Sequence, residues 1–365
     1  MTRRNAAVNG VNLAQGFPDF NPPQEMIEAA IKAMRDGYNQ YAITWGSQNL
    51  REAICEKIEW YNGISADPIK NVTVTCGATE AMMSVLLAII NPGDEVMIFE
   101  PYYENYGPDA IVSGAKPVYV PLIEPDFHFD PDKLRAAFSN KTKAIIINTP
   151  HNPSGKIFSR EELELIAELC EHYDVLVITD EIYEHILYDG AKHVSPASIP
   201  GLENRTITIN GLSKTYSATG WRIGYAIAPE DITGAIRKVH DFLTVGAPAP
   251  LQEAAVTGLR LPKDYYTKLA AFYQHKRDIM CCALENVGFT PFIPKGAYYV
   301  LCGISGFEAV SDFDFTIRLI EEIGVATVPG SSFYSAKELG KEKIRFAFCK
   351  TEETLQTAIQ RLEKL

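Results

Sequence analysis

Asn210-Gly-Leu-Ser-Lys-Thr-Tyr-Ser-Ala-Thr-Gly-Trp-Arg222-Ile-Gly-Tyr225 decides how the rest of this chain reads. A β-branched, apolar run from Thr206 to Ile209 delivers Lys214 to a turn rich in Gly and Ser. A lysine held at a strand end is a candidate Schiff-base former. Arg222 lies eight residues on and Ser213 is adjacent, so a guanidinium and a hydroxyl can both meet a phosphate. A lone lysine in a polar loop would read as surface, because Lys is almost never fully buried unless paired. Here the neighbours argue against that reading.

Outward from this turn, short apolar runs alternate with helical patterns. Val72–Cys76, Glu95–Glu100, Pro117–Pro121, Ala144–Asn148, Val175–Thr179, Thr206–Asn210 and Ile223–Ala228 read as strands. Ala78–Ile90, Tyr103–Ser113, Arg160–His172 and Pro229–Phe242 read as helices. Such alternation predicts an α/β domain with a mostly parallel sheet. Asn91-Pro-Gly-Asp94 stops one helix, and Ser159 with Glu162 offers a capping box for another. Beyond about Leu251 a long helical stretch through Arg277–Val287 leads into Gly296–Cys302 and mixed elements, which read as a smaller α+β domain.

The lysine segment resembles the signature of the fold-type I, class I/II aminotransferases, enzymes that use pyridoxal phosphate. The resemblance runs from Asn12 to the C-terminus. Asn12-Leu-Ala-Gln-Gly-Phe-Pro-Asp-Phe-Asn-Pro-Pro23 and Asn39-Gln-Tyr-Ala-Ile-Thr-Trp-Gly46 resemble the branch of kynurenine, glutamine and methionine aminotransferases. It implies a large cofactor-binding domain over 31–251, with 1–30 and 252–365 forming the small domain. Members of the family carry a further N-terminal helix, whereas here Met1-Thr-Arg-Arg runs almost directly into the Gly16 segment.

The resemblance also assigns expected roles. Lys214 is the Schiff-base lysine. Asp180 follows the run Val175–Thr179, and open α/β sheets bind ligands at such strand ends. A carboxylate there keeps the pyridine nitrogen protonated. Its residue type also suits a helix N-cap, and Glu181 is the neighbouring competitor. Asn152 and Tyr183 are the expected donors to the ring oxygen. Ala78 and Thr79, in Cys76-Gly-Ala-Thr-Glu80, open a helix whose free N–H groups suit a phosphate; Ser213, Arg222 and Tyr41 join them, Tyr41 from the partner subunit. Tyr103 is the expected stacking ring, with Tyr102 as its competitor. Arg345, in Lys343-Ile-Arg-Phe-Ala-Phe-Cys349, is the expected fork for the substrate α-carboxylate, aided by the backbone of Gly16.

Bulk properties narrow the classes. Composition is ordinary for a globular protein, 46% apolar and 22% charged. A net charge of −12 argues against a nucleic-acid partner. No apolar run reaches the ~18 residues that span a bilayer, and no signal peptide is visible. Seven cysteines, none in C-x-x-C spacing, read as reduced thiols of a cytoplasmic protein. No histidine pattern supports a metal site. The expectation is a homodimeric aminotransferase moving an amino group between an L-amino acid and a 2-oxo acid by a ping-pong route, with aromatic amino acids, methionine or glutamine as donors. A carbon–sulfur β-lyase and an aspartate aminotransferase are the alternatives.

Overall fold

The computed structural model describes residues 1–308 and 311–365. Eight strands form the main sheet. From edge to edge they are Val72–Thr75, Gly224–Ile227, Thr206–Gly211, Leu176–Asp180, Thr142–Asn148, Glu95–Glu100, Lys116–Ile123 and His128–Phe129. The five strands from Thr206–Gly211 to Lys116–Ile123 pair in parallel; Gly224–Ile227 is antiparallel to both its neighbours, and His128–Phe129 adds an antiparallel edge.

Helices cover both faces of this sheet, so its strands read as continuous apolar runs rather than alternating ones. Side chains still alternate in space. Met97, Phe99, Ile145, Ile147 and Val177 pack with Leu134, Leu163 and Ile166 on one side. Val96, Ile98, Ala144, Ile146 and Ile178 pack with Ala81, Val85 and Ile236 on the other.

A second, four-stranded sheet is antiparallel: Thr290–Phe292, Tyr299–Gly303, Lys343–Ala347 and Val328–Pro329. Its core joins Tyr298, Val300 and Phe346 to Leu13, near the chain start, and to Leu284 of the long helix Asp264–Val287. The helix Gln24–Arg35 runs across the expected boundary at residue 30.

Element ends depart from expectation where chemistry intrudes. The helix expected from Tyr103 begins at Tyr106, and Tyr103 lies in the preceding loop, on the cavity wall. The strand expected to end at Thr179 continues through Asp180. A short helix, Thr2–Ala7, forms where none was foreseen. The capping box is present: Ser159 Oγ accepts the Glu162 N–H at 3.2 Å, and Glu162 Oε2 accepts the Ser159 N–H at 2.8 Å.

One close approach links the sheet to the cavity. Gly77 turns the chain from strand Val72–Thr75 into helix Ala78–Ile89 with φ of 87°, which favours glycine. Gly224 presses against it, and a Cβ there would lie 2.4 Å from the Gly77 carbonyl carbon. Backbone cannot yield as a side chain does. Gly224→Ala should therefore destabilise the protein by about 1–3 kcal/mol in denaturant titration, as overpacking does. Gly220→Ala, where a Cβ meets nothing within 4 Å, should stay within about 0.5 kcal/mol of wild type.

Candidate functional site

A cavity of about 760 Å³ opens at the C-terminal ends of the parallel strands. Eleven of the twelve residues singled out in the sequence line it: Gly16, Ala78, Thr79, Tyr103, Asn152, Asp180, Tyr183, Ser213, Lys214, Arg222 and Arg345. Tyr41 does not; its ring is 86% exposed, away from the cavity of its own chain.

Lys214 follows strand Thr206–Gly211, and its Nζ donates to the Gly16 carbonyl at 3.0 Å. Burial pushes its ammonium down to about 8, against the pull of Cys349 and Asp180, and the cations Arg222 and Arg345 push the same way. A share of neutral amine is therefore present near neutral pH. The Gly16 carbonyl also accepts from Tyr298 Oη at 2.7 Å. A methyl at Gly16 would lie 1.8 Å from Tyr299 Oη, so this segment fits only as glycine.

Asp180 ends its strand with a buried side chain. Oδ2 accepts from Tyr106 Oη at 2.7 Å and Oδ1 from the Ile182 N–H at 3.2 Å. Burial raises its pKa despite these bonds; a cation set against it would favour the carboxylate. No helix starts there, so the N-cap alternative falls. Glu181 turns to a different network, where it accepts from Ser195 Oγ at 2.7 Å and meets His193 Nε2 at 2.5 Å. There Glu181, Glu184 and His193 cluster closely enough to resemble a metal-ligand set. However, the Lys57 ammonium already pairs with Glu184 inside that cluster.

The anion-facing end is made of main chain and one cation. No side chain caps helix Ala78–Ile89, which leaves its first N–H groups to other acceptors. Arg222, itself at φ 55°, lies over Gly77, where a Cβ would come within 2.3 Å of Nη2. Its Nη1 donates to the Thr219 carbonyl at 3.0 Å.

The opposite end holds Arg345, buried on strand Lys343–Ala347. Nη1 donates to Asn152 Oδ1 at 2.8 Å and Nη2 to the Ala14 carbonyl at 2.8 Å. The rings of Tyr299 and Phe333 lie 4.2 and 4.7 Å from the guanidinium carbon. Buried Nε has no partner. Tyr102, the competitor of Tyr103, stacks instead on Tyr119 at 5.2 Å.

Sequence reading missed Tyr106, Asn148, Tyr299 and Phe333. Asn148 Nδ2 donates to the Asp180 carbonyl at 2.9 Å, and its Oδ1 accepts the Asn152 N–H at 2.7 Å. One side chain thus fixes two candidates. Tyr299 Oη meets Tyr183 Oη at 3.1 Å. The only available signals were position: Asn148 ends a strand, and Tyr106 follows Tyr103 by one helical turn.

This donor set fits pyridoxal phosphate. A helix N-terminus, Ser213 and Arg222 suit the phosphate; Asp180 suits a protonated pyridine; Lys214 suits the aldehyde. Arg345 Nε, a buried donor lacking an acceptor, fits a site where a carboxylate oxygen docks.

A family model described as aminotransferase class I and II matches residues 8–362. Kynurenine–oxoglutarate transaminase 1 of Homo sapiens is 38% identical, over 97% of this chain and 92% of that protein. Methionine aminotransferase of Escherichia coli strain K12 is also 38% identical, over 97% and 92%. The structure of N-succinyldiaminopimelate aminotransferase from Mycobacterium tuberculosis matches with a TM-score of 0.97 and 37% identity, covering 100% of this chain and 95% of that one.

Proposed function

The chain belongs to the class I and II aminotransferases, which use pyridoxal phosphate, and from that premise we propose that it takes the amino group of an aromatic amino acid, methionine or glutamine. The observation that carries the transaminase reading is the Arg345 guanidinium, beside two rings with Nε unpartnered, in one cavity with Lys214; the choice of donor rests on what lines the rest of that cavity. The relatives named for kynurenine and methionine point the same way. Among the described residues lining the cavity, Arg222 and Arg345 are the only arginines, and Lys337 stands exposed at the start of the short 3-10 helix Lys337–Leu339. Phe17, Tyr103, Tyr299 and Phe313 offer a side chain mostly aromatic surface.

Bound pyridoxal phosphate supplies an aldehyde for the amino group and a ring that spreads negative charge from the substrate α-carbon. The chain's own residues do the rest. Lys214 Nζ would hold the cofactor, and its amine would take and return the α-proton. Asp180, held by Tyr106, keeps the ring nitrogen protonated. Asn152 and Tyr183 donate to the ring oxygen. Tyr103, on the cavity wall, would pack against the cofactor ring, an aromatic contact worth roughly 0.5–1.5 kcal/mol. Ala78, Thr79, Ser213 and Arg222 hold the phosphate. Arg345 grips the α-carboxylate near Gly16, which orients the α-hydrogen toward Lys214.

The proposal includes a homodimer. Tyr41 and Ile43 on one loop, and Phe242, Leu243 and Val245 at the end of helix Glu230–Thr244, are exposed apolar side chains. His240 ties the two segments through the Thr44 carbonyl at 2.8 Å. Such a patch suits a second copy, whose cavity Tyr41 would enter. The separate eight- and four-stranded sheets, and the pairing of Val11–Asn12 with Val325–Ala326, support the division into 31–251 and 1–30 with 252–365, its first boundary falling within helix Gln24–Arg35. No helix among the described residues is long and apolar enough to cross a membrane. All seven cysteines are free, which suits the reducing cytoplasm.

A panel of amino donors against 2-oxoglutarate and pyruvate tests the substrate class. Phenylalanine, methionine or glutamine should exceed aspartate in kcat/KM by about tenfold or more. Arg345→Lys should raise KM for every donor while cofactor occupancy holds, because lysine lacks the bidentate fork. Preference for aspartate, or release of pyruvate from cystathionine without any 2-oxo acid, would overturn the assignment.

Mixing chains tests the dimer. If Tyr41→Phe and Lys214→Ala are each impaired, hybrids carry one site with both lesions and one with neither. Activity should recover to about half of wild type per site, given two-fold geometry. No recovery after demonstrated subunit exchange would return Tyr41 to its own chain.

A further inference from the structure

Glu80 lies in the first turn of helix Ala78–Ile89, the helix whose N-terminus faces the cavity. Its Oε2 accepts the Cys76 N–H at 2.5 Å, which ties down the turn before Gly77. Its Oε1 accepts from Ser84 Oγ at 3.2 Å. A carboxylate here stabilises the helix end, yet it competes for the same positive field with any anion bound there.

His240, fully buried on helix Glu230–Thr244, meets this carboxylate. Nδ1 lies 2.6 Å from Glu80 Oε1, and Nε2 lies 2.8 Å from the Thr44 carbonyl oxygen. A carbonyl oxygen offers no proton, and Glu80 already accepts from two protein donors. Thr244 Oγ1 also lies 3.4 Å from Nδ1, but the much shorter contact to an ionised Glu80 needs a proton on Nδ1, so with Glu80 ionised both ring nitrogens donate, which only the imidazolium form can do. Burial by itself pushes the His240 pKa down; the bond to Glu80, its charge and the Thr44 carbonyl reverse this and leave it raised. Asp241 on the same helix adds a smaller upward pull. The Cys76 thiol nearby is held protonated by burial, with Arg222 acting on it the other way. Arg237, on the same helix, stacks over Trp45 at 5.0 Å and so faces the Thr44 loop.

We propose that the His240 imidazolium is a positioning residue for the phosphate end of the cavity: it cancels the Glu80 charge at the helix N-terminus and pins the loop that carries Tyr41. This rests on the reading of the cavity as the pyridoxal phosphate site. A phosphate ester then meets a helix end whose field is not offset by a lone carboxylate. The contribution is fully present below about 6.5, the ordinary histidine value, and is lost as pH rises through the raised pKa.

The test titrates the cofactor-stripped chain with pyridoxal phosphate and, separately, with pyridoxal, which lacks the phosphate. His240→Gln should weaken pyridoxal phosphate about tenfold, within the range of a partly buried charge at a helix end, and leave pyridoxal unchanged. The double variant Glu80→Gln/His240→Gln removes both charges and should recover most of the loss. The wild-type advantage over His240→Gln should shrink toward one as pH rises. Equal effects on both ligands, no effect on either, or no recovery in the double variant would overturn the proposal. A wild-type chain that binds neither ligand would instead overturn the cofactor site itself. Neutron diffraction from wild-type crystals near pH 6, below the ordinary histidine value, needs no variant: deuterium on both His240 nitrogens is expected, and deuterium on only one contradicts the proposal.

Discussion

Two opposite charges buried in one cavity constrain everything around them. Asp180 and Lys214 end adjacent parallel strands or the turn beyond, and burial disfavours the charged form of each. Left alone they would be a liability. The chain surrounds them with groups that orient without neutralising. Tyr106 and the Ile182 N–H hold Asp180, and the Gly16 carbonyl holds Lys214. A ligand that brings a cation for the carboxylate and an aldehyde for the amine relieves both costs at once. That is the sense in which the fold is made for its cofactor.

Other largely buried carboxylates are instead paired with cations. Glu80 is matched by His240, and Glu184 by Lys57. Arg345 is fixed by Asn152 and the Ala14 carbonyl rather than by a carboxylate. Its charge therefore remains available to a substrate, whereas a protein carboxylate in that place would have consumed it. Packing supports this economy: Gly16, Gly77 and Gly224 each let backbone approach where a methyl group would collide.

The strands of the main sheet were legible because burial on both faces leaves uninterrupted β-branched runs, as in Thr206–Ile209. The catalytic candidates were legible through resemblance and through strand ends. What stayed hidden has a common cause, long sequence separation. Tyr106 and Asp180 meet across 74 positions, and His240 and Glu80 across 160. No local pattern encodes such pairs. The helix expected from Tyr103 starts only at Tyr106, so Tyr103 reaches the cavity from the loop before it. Tyr41 remained visible only as an exposed ring whose partner would be another chain.

The central claim is that Lys214 carries the cofactor. Reducing the protein loaded with pyridoxal phosphate with borohydride makes the linkage permanent, and peptide mapping then locates it. The account predicts one pyridoxyl group per chain, on the peptide containing Lys214. A stoichiometric label on another buried lysine, such as Lys276 or Lys350, would contradict it.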